Sequence, residues 1–364
     1  MAFKNCTLEI MVMPLFNDFF RGRRVLITGH TGFKGSWLTL WLHRLGAEIT
    51  GISLDPITEP NLFSCAKVEA LCDHYICDIR NADTLASLVE AAKPEVVFHL
   101  AAQPLVRASY RQPVQTFSTN IMGSVHVLEA LRGVDSVKAV VMVTTDKVYH
   151  NQEKLDPYRE ADRLGGHDPY SASKAASELV IACYRESFLA DQGVAVATAR
   201  AGNVIGGGDW SEDRLIPDAI SAWQANQALE IRSPESTRPW QHVLEPLFGY
   251  MKLAQKLHQQ PELVGAYNFG PYAHEVATVR QVISKAQHVY GSGDVIWHEI
   301  SKGPHEAGIL MLDISKSGKL LNIEPRWSLD ETLKKTLNWY IAEHKGADTK
   351  SLCEADIKAY EALL

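Results

Sequence analysis

The sequence predicts an α/β protein: a doubly wound parallel sheet with a smaller lobe interleaved at its C-terminal end. Three observations predict it. Short, nearly all-apolar runs alternate with helical patterns as far as Arg200, as buried parallel strands and their crossover helices do. The first of those runs ends in glycine and opens at once into a helix, the context in which spaced glycines cradle a phosphate. After Gly202 the pattern changes: Gly and Pro become dense (GNVIGGGDW, RSPESTRPW) and helical stretches are interrupted.

The elements follow in order. RVLITG (24–29) is a strand, and FKGSWLTLWLHRL after it is a helix whose Trp37, Trp41 and Leu45 recur at i, i+4, i+8 and therefore face the core. Strands are predicted over 48–54 and 74–78, a helix over 82–92, a strand over 95–101 and a long helix over about 113–132. A strand at 139–145, a helix from Tyr170 to about Gln192 and a strand at 194–200 complete the regular alternation. A helix near 245–258 and a strand near 266–270 return to the sheet; WHEI reads as a short strand, with two late helices beyond it. The dinucleotide-binding domain is thus 16–202 with those two later elements. Segments 203–244 and 271–364 form the second lobe, and 1–15 a leader, with Met11 or Met13 as alternative starts.

Composition narrows the function. Asp plus Glu exceed Lys plus Arg, 43 against 36, so the net charge of −7 argues against a dedicated nucleic-acid binder. Six cysteines (6, 65, 72, 77, 183 and 353) include no CxxC pair, which predicts reduced thiols, no metal site and a cytoplasmic location. No apolar run reaches the ~18 residues of a membrane span. The leader carries Glu9 and Pro14, which makes a poor signal peptide.

TGHTGFKG (28–35) places Gly29, Gly32 and Gly35 between strand and helix. Gly29 permits the tight turn, Gly32 lets backbone N–H groups reach a pyrophosphate at the helix N-terminus, and Gly35 permits close helix–strand packing. Thr31, Phe33 and Lys34 share this Rossmann-type loop. Asp55 follows the second strand, 20 residues after Gly35. There it bonds ribose hydroxyls or merely forms a turn before Pro56. With no Arg beside it, NAD is favoured over NADP. Asp78 has two readings, an adenine contact or the cap of the helix at 82.

Tyr170 and Lys174 make YxxxK on one helical face. A nearby ammonium favours phenolate, so the lysine is expected to lower the tyrosine pKa and make it a base toward an alcohol. Thr144, Thr145, Asp146 and Lys147 follow the fifth strand and are aimed at the same cleft.

Together the GxxGxxG, HLAAQ (99–103), TNIMG (119–123), TTDKVY (144–149), YSASK (170–174) and RAGNVIG (200–206) motifs resemble the extended short-chain dehydrogenase/reductase family, from about Phe16 onward. GHTGFKGSWL, RPWQHVLEP (238–246) and HEAGILMLDISK (305–316) resemble its nucleotide-sugar 4,6-dehydratases, in particular those acting on CDP-hexoses. The resemblance implies a tightly held NAD, regenerated each turnover and contacted by the glycine loop, Asp55, Asp78, Ile79, Leu100, Ala101, Ala102, Gln103, Thr119, Thr144, Tyr170 and Lys174. It implies oxidation at the sugar C4 with Tyr170 as base and Thr145 on the same hydroxyl, elimination of water across C5 and C6, and hydride return to C6. An Asp–Glu pair usually handles the elimination; here Lys147 stands where Glu is usual. Asp146 is then the acid for the 6-hydroxyl. Lys147, neutral through burial and nearby Lys174, is the C5 base, or else only positions Asp146 or stabilises an enolate.

Asn203 is implied on the diphosphate, and Arg214, Leu215, Ile216, Ile231 and Arg232 on the nucleotide. Arg238 is a pyrophosphate ligand or a surface ion pair. His242 reads as a packed histidine. His305 and Glu306 either close over the substrate or play no part. The helices at 113–132 and 170–191 either pair with a second copy, giving a homodimer or dimer of dimers, or simply pack in the core. The implied product feeds deoxysugar synthesis for a bacterial surface polysaccharide. A 4-epimerase and a non-catalytic NAD-binding regulatory protein are the alternative readings.

Overall fold

The computed structural model describes residues 15–298 and 308–364. Nearly all of the expected leader lies outside them, as do His305 and Glu306. Seven strands form one parallel sheet: β1 (Arg24–Thr28), β2 (Glu48–Ser53), β3 (Asp73–Ile76), β4 (Val96–His99), β5 (Ala139–Val143), β6 (Ala195–Ala201) and β7 (Gly265–Phe269), in the order β7-β6-β5-β4-β1-β2-β3. The central strands β4, β5 and β6 are fully buried and match the nearly all-apolar runs of the sequence, while the edge strand β3 exposes Asp73, Tyr75 and Ile76. The order reverses between β1 and β4, and in such sheets ligands bind beyond the carboxyl ends at that switch point.

Alternate residues of each strand feed two cores. Val25, Ile27, Val96 and Phe98 join the cluster that holds α1 (Phe33–Arg44); Leu26, Val97, Val140 and Val196 join the cluster on the other face, with Leu85, Val127 and Ile181. These three come from α2 (Ala82–Ala92), α3 (a helix over 113–130 carrying a π turn at Ser118–Met122) and α4 (Pro169–Tyr184). Trp37 and Trp41 are fully buried, as their spacing predicts. The Trp37 indole donates to the Gly207 carbonyl at 2.9 Å and the Trp41 indole to Glu361 at 3.0 Å, so the first helix is bonded to both ends of the second lobe.

That lobe contains α5 (Leu215–Gln224), and α6 (Leu244–Gln259) returns beneath the sheet. Beyond β7 come α7 (Val279–Tyr290), α8 (Ser315–Leu321), α9 (Leu329–His344) and α10 (Thr349–Glu361). Three helices therefore follow Trp297 where the sequence predicted two; the short one at 315 ends at Asn322, in the left-handed region, before a periodic pattern can develop. The predicted WHEI strand begins earlier, as Val295–Trp297, paired with Leu229–Ile231. The helix from Tyr170 leaves regular α geometry at Arg185, in a π turn over Arg185–Leu189.

Candidate active site

The carboxyl ends of β1, β2, β4, β5 and β6 open into one cleft of about 1170 Å³ shared with the second lobe. Single-ligand pockets run to about 1,000 Å³, so this cleft has room for two ligands of nucleotide size.

At its floor the three glycines have separate reasons to be glycine. Gly29 has φ +82°, and a Cβ there would lie 2.6 Å from the Ala101 nitrogen. A Cβ on Gly35 would meet the Gly29 carbonyl oxygen at 2.1 Å. On Gly32 the nearest neighbour is 3.4 Å away; nothing in the protein forbids a side chain, and what it would fill is the cleft. Thr31 holds the loop to β2 through Ser53 Oγ (2.7 Å) and the Leu54 carbonyl (2.8 Å). Phe33 and the half-buried Lys34 line the cleft at the N-terminus of α1. Burial, reinforced by Arg214, Lys174 and Lys147 and opposed by Asp146, brings the Lys34 ammonium down to about 7. An anion bound there offsets that cost.

Asp55 is exposed at the mouth of the cleft. Asp78 also lines it, but its carboxylate is held by Arg80 (2.9 Å from Nε to Oδ2), which lowers its pKa. The cap of α2 is Asn81, which accepts from the Thr84 amide, so the capping alternative for Asp78 is overturned. Ile79, Leu100, Ala101, Ala102, Gln103 and Thr119 complete this wall. Buried Asn120 fastens it: its side chain accepts from the Gln103 amide at 2.8 Å and donates to Ser173 Oγ on α4 at 2.8 Å.

On the opposite wall, Asp168 caps α4 by accepting from the Ser171 amide (2.9 Å), Pro169 takes the first turn, and Ser109 Oγ accepts from the Tyr170 amide (3.1 Å). These contacts aim Tyr170 at the cleft, where its hydroxyl is hydrogen-bonded to Thr145. The expected fall in its pKa is absent. Burial pushes the phenol up to about 12 against the opposing Thr145 bond. Lys174 is itself deeply buried, its ammonium brought down to about 8 by desolvation, and donates to the Val143 carbonyl at 3.2 Å.

Asp146 and Lys147 divide differently from the sequence reading. Asp146 is fully buried behind Thr145 and Lys147; its Oδ1 receives Thr145 Oγ1 at 3.0 Å and Lys147 Nζ at 3.1 Å. Its Oδ2, beside Gly202, has no partner, and neither has the buried Tyr250 hydroxyl on α6. Lys147 is the member of the pair that lines the cleft. Of the roles expected for Lys147, a neutral amine or a partner that positions Asp146, the ion pair is the contact made by the second. Two lysines that line the cleft, Lys34 and Lys174, have ammonium groups disfavoured by burial. Thr144, expected at the cofactor, turns its hydroxyl to Glu178 at 2.5 Å. Glu178 escaped the sequence reading, although 170, 174 and 178 follow the i, i+4, i+8 rule of one helical face.

In the second lobe Asn203, Arg214, Leu215, Ile216, Ile231, Arg232 and Arg238 all line the cleft. Asn203 Oδ1 is buried without a partner. Arg214 pairs with buried Asp209 at 3.1 Å and acts electrostatically on Tyr170. Arg238 is buried, not on the surface, and donates to the Thr237 and Gly308 carbonyls at 2.9 and 3.2 Å. His242 is fully buried, and desolvation takes its pKa to about 3, as for a packed histidine. Among the described residues no His, Cys, Asp and Glu cluster forms a metal site, no cysteines pair, and no helix is long and apolar enough to cross a membrane.

Comparison with known proteins bears on this cleft. The sequence profile of the family described as GDP-mannose 4,6 dehydratase matches residues 26–336. The chain belongs to this family. Within it, the chain is 46% identical to the CDP-glucose 4,6-dehydratase of Salmonella typhimurium over 350 residues, covering 94% of this chain and 97% of that one. Among solved structures, the fold is shared with the dTDP-glucose 4,6-dehydratase of Bacillus anthracis in complex with NAD (TM-score 0.74, 21% identity, 91% of this chain and 100% of that one). It is shared also with the UDP-glucose 4-epimerase of Thermotoga maritima with UDP-glucose (TM-score 0.76, 23% identity, 88% and 99%). One fold thus carries more than one activity, and function has to be argued from the side chains of the cleft.

Proposed function

We propose that the chain is an NAD-dependent CDP-glucose 4,6-dehydratase, converting CDP-D-glucose to CDP-4-keto-6-deoxy-D-glucose. Beside the 46% identity to a dehydratase of that name, one observation carries the reading: the Asp146–Lys147 pair stands directly behind the Thr145–Tyr170 hydrogen bond. A 4-epimerase has work for Tyr170, Thr145 and Lys174 but none for a second proton-transfer pair.

The cleft fits the cofactor. Gly32 leaves open the approach to the N-terminus of α1, where burial disfavours the Lys34 ammonium until an anion binds, and Asp55 stands past β2 to receive a ribose. When bound, NAD supplies the two-electron acceptor that takes hydride from C4 and gives it back at C6. Tyr170 takes the 4-hydroxyl proton while Thr145 holds that oxygen. The resulting 4-keto group acidifies the C5 hydrogen. Lys147 meets the sugar and Asp146 works through it: between them the pair removes the C5 proton and protonates the departing 6-hydroxyl, so that water leaves, and the pair returns a proton to C5 when C6 regains its hydride. Asn203 and Arg214, with Arg238, take the diphosphate, and Leu215, Ile216, Ile231 and Arg232 take the nucleoside.

The exposed apolar residues Val114, Phe117 and Met122 on α3, Leu179 on α4 and Phe188 in the turn beyond it favour a second copy packed on these helices, in a cytoplasmic homo-oligomer. The product suits deoxysugar synthesis for a surface polysaccharide. The test is to incubate the protein with CDP-, dTDP-, GDP- and UDP-glucose and catalytic NAD, and to weigh the products. Loss of one water from CDP-glucose without net NADH is expected. An isomer of unchanged mass would instead establish an epimerase.

A further inference from the structure

Asp218 belongs to the cleft but has no part in the chemistry above. It sits in the first turn of α5, half-buried, and lines the cleft together with Leu215, Leu229 and Ile231. Arg232 and Arg107 act on it from a distance, but each makes its ion pair with another residue. Arg107 and Arg232 both reach Asp213, at 3.2 and 3.5 Å. Among the described residues no lysine or arginine nitrogen lies within 4 Å of the Asp218 carboxylate, and the donor given to it is the Asp213 backbone N–H. The helix start favours the ionised form; even so, burial and the Asp213 charge push the carboxyl up to about 6. This is a carboxylate short of donors, set in an apolar wall.

Its place along the cleft is informative. Arg214 acts electrostatically on Tyr170, and Asp218 lies one helical turn further along α5, its backbone N–H on the Arg214 carbonyl at 2.9 Å. A nucleotide sugar is linear: sugar, diphosphate, nucleoside. With the sugar at Tyr170 and the diphosphate at Arg214, the base comes to the far end, at Leu215, Ile231 and Asp218. We propose that Asp218 is the residue that selects cytosine, accepting a hydrogen bond from the exocyclic 4-amino group while the apolar wall covers the ring. Uracil and thymine carry a carbonyl oxygen at that position, which a carboxylate repels. The proposal rests on the cytidine-nucleotide reading given above.

The experiment measures the affinity of CDP and of UDP by calorimetry for the wild-type protein, Asp218→Asn and Asp218→Thr, near neutral pH. Wild type is expected to prefer CDP. Asp218→Asn, whose amide can donate to the uracil carbonyl, should shrink the CDP-to-UDP ratio by ~10–100-fold, the worth of a hydrogen bond to a charged group. The ratio is its own control, because poor folding or a mere helix-end role of the charge lowers both affinities together. An unchanged ratio in both variants overturns the proposal, and so does a wild type with no preference for CDP. Failure of the dehydratase reading looks different: CDP is preferred, yet CDP-glucose yields no dehydrated product.

Discussion

The first prediction concerns the layer beneath the reactive residues. Glu178 and Arg200 are both about 4% exposed and make a doubly bonded pair, with 3.0 Å from Nε and 2.8 Å from Nη2. Glu178 also accepts from Thr144 and Thr198, and Arg200 donates onward to the Tyr149 hydroxyl at 2.9 Å, which donates to Asn268 at 2.7 Å. The network therefore joins β5, β6, β7 and α4, the elements that carry Thr145, Tyr170 and Lys174. Removing the charge by Glu178→Gln keeps the shape but leaves a guanidinium buried and unpaired. Breaking one side of such a pair costs about 3–5 kcal/mol. At about 2.1 cal/mol/K per residue over 364 residues, each kcal/mol lowers Tm by about 1.3 °C, so a fall of about 4–7 °C is expected by scanning calorimetry.

The double variant Glu178→Leu, Arg200→Met is the sharper half of that test. Replacing a whole buried pair by apolar side chains is often neutral, so the double variant should be more stable than Glu178→Gln alone. A Glu178→Gln shift under about 1 °C, or a double variant as unstable as the sum of its parts, would refute the argument that the network is held by mutual compensation of buried charge.

Lys174 gives a pH test. Its pKa falls from 10.5 to about 8 on folding, so between those values the unfolded chain holds a proton that the folded one has lost, and stability rises with pH. Below about 8 the full cost of burying the charge is present, of order 3 kcal/mol. Lys174→Met should therefore raise Tm most at neutral pH, with the gain fading toward pH 10.5; a gain independent of pH would count against it. Gly35→Ala forces a Cβ to within 2.1 Å of a backbone oxygen and should cost about 1–3 kcal/mol of stability. Gly32→Ala should leave Tm unchanged while weakening NAD at least ~10-fold in a fluorescence titration, because only the ligand approaches that face. Lys147→Ala should stop exchange of the C5 hydrogen with deuterated solvent while Tyr170-dependent C4 oxidation persists; full exchange would remove Lys147 from the elimination.

The sheet was readable because parallel strands are buried on both faces and cannot hide their apolar runs. The glycine loop was readable because its spacing is forced by backbone contacts at Gly29 and Gly35. What the sequence did not disclose are states that depend on neighbours distant along the chain. Tyr170 and Lys174 are one helical turn apart, and their proximity suggested a lowered phenol pKa; burial dominates instead, and no local pattern reports it. The order of Asp146 and Lys147 across the cleft wall likewise follows from a short 3-10 turn, Asp146–Val148, which turns one residue inward and the next outward. Asp218 was hidden because a carboxylate in a first helical turn is ordinary until its surroundings are known.

The distribution of satisfied and unsatisfied groups then has a direction. Under the sheet ends, both Glu178 oxygens and the Arg200 guanidinium are bonded. At the cleft, Asp146 Oδ2, Asn203 Oδ1 and the Tyr250 hydroxyl are buried without partners, and two lysines are held well below their ordinary pKa. Each such group costs stability in the protein alone. A fold retains that arrangement where ligand atoms complete it, because groups already stripped of water need no reorganisation when charge moves. Tight bonding below and deficiency above are two sides of one requirement: the bonded layer fixes β5, β6 and α4, so that the deficient groups stay where a sugar and its diphosphate will meet them.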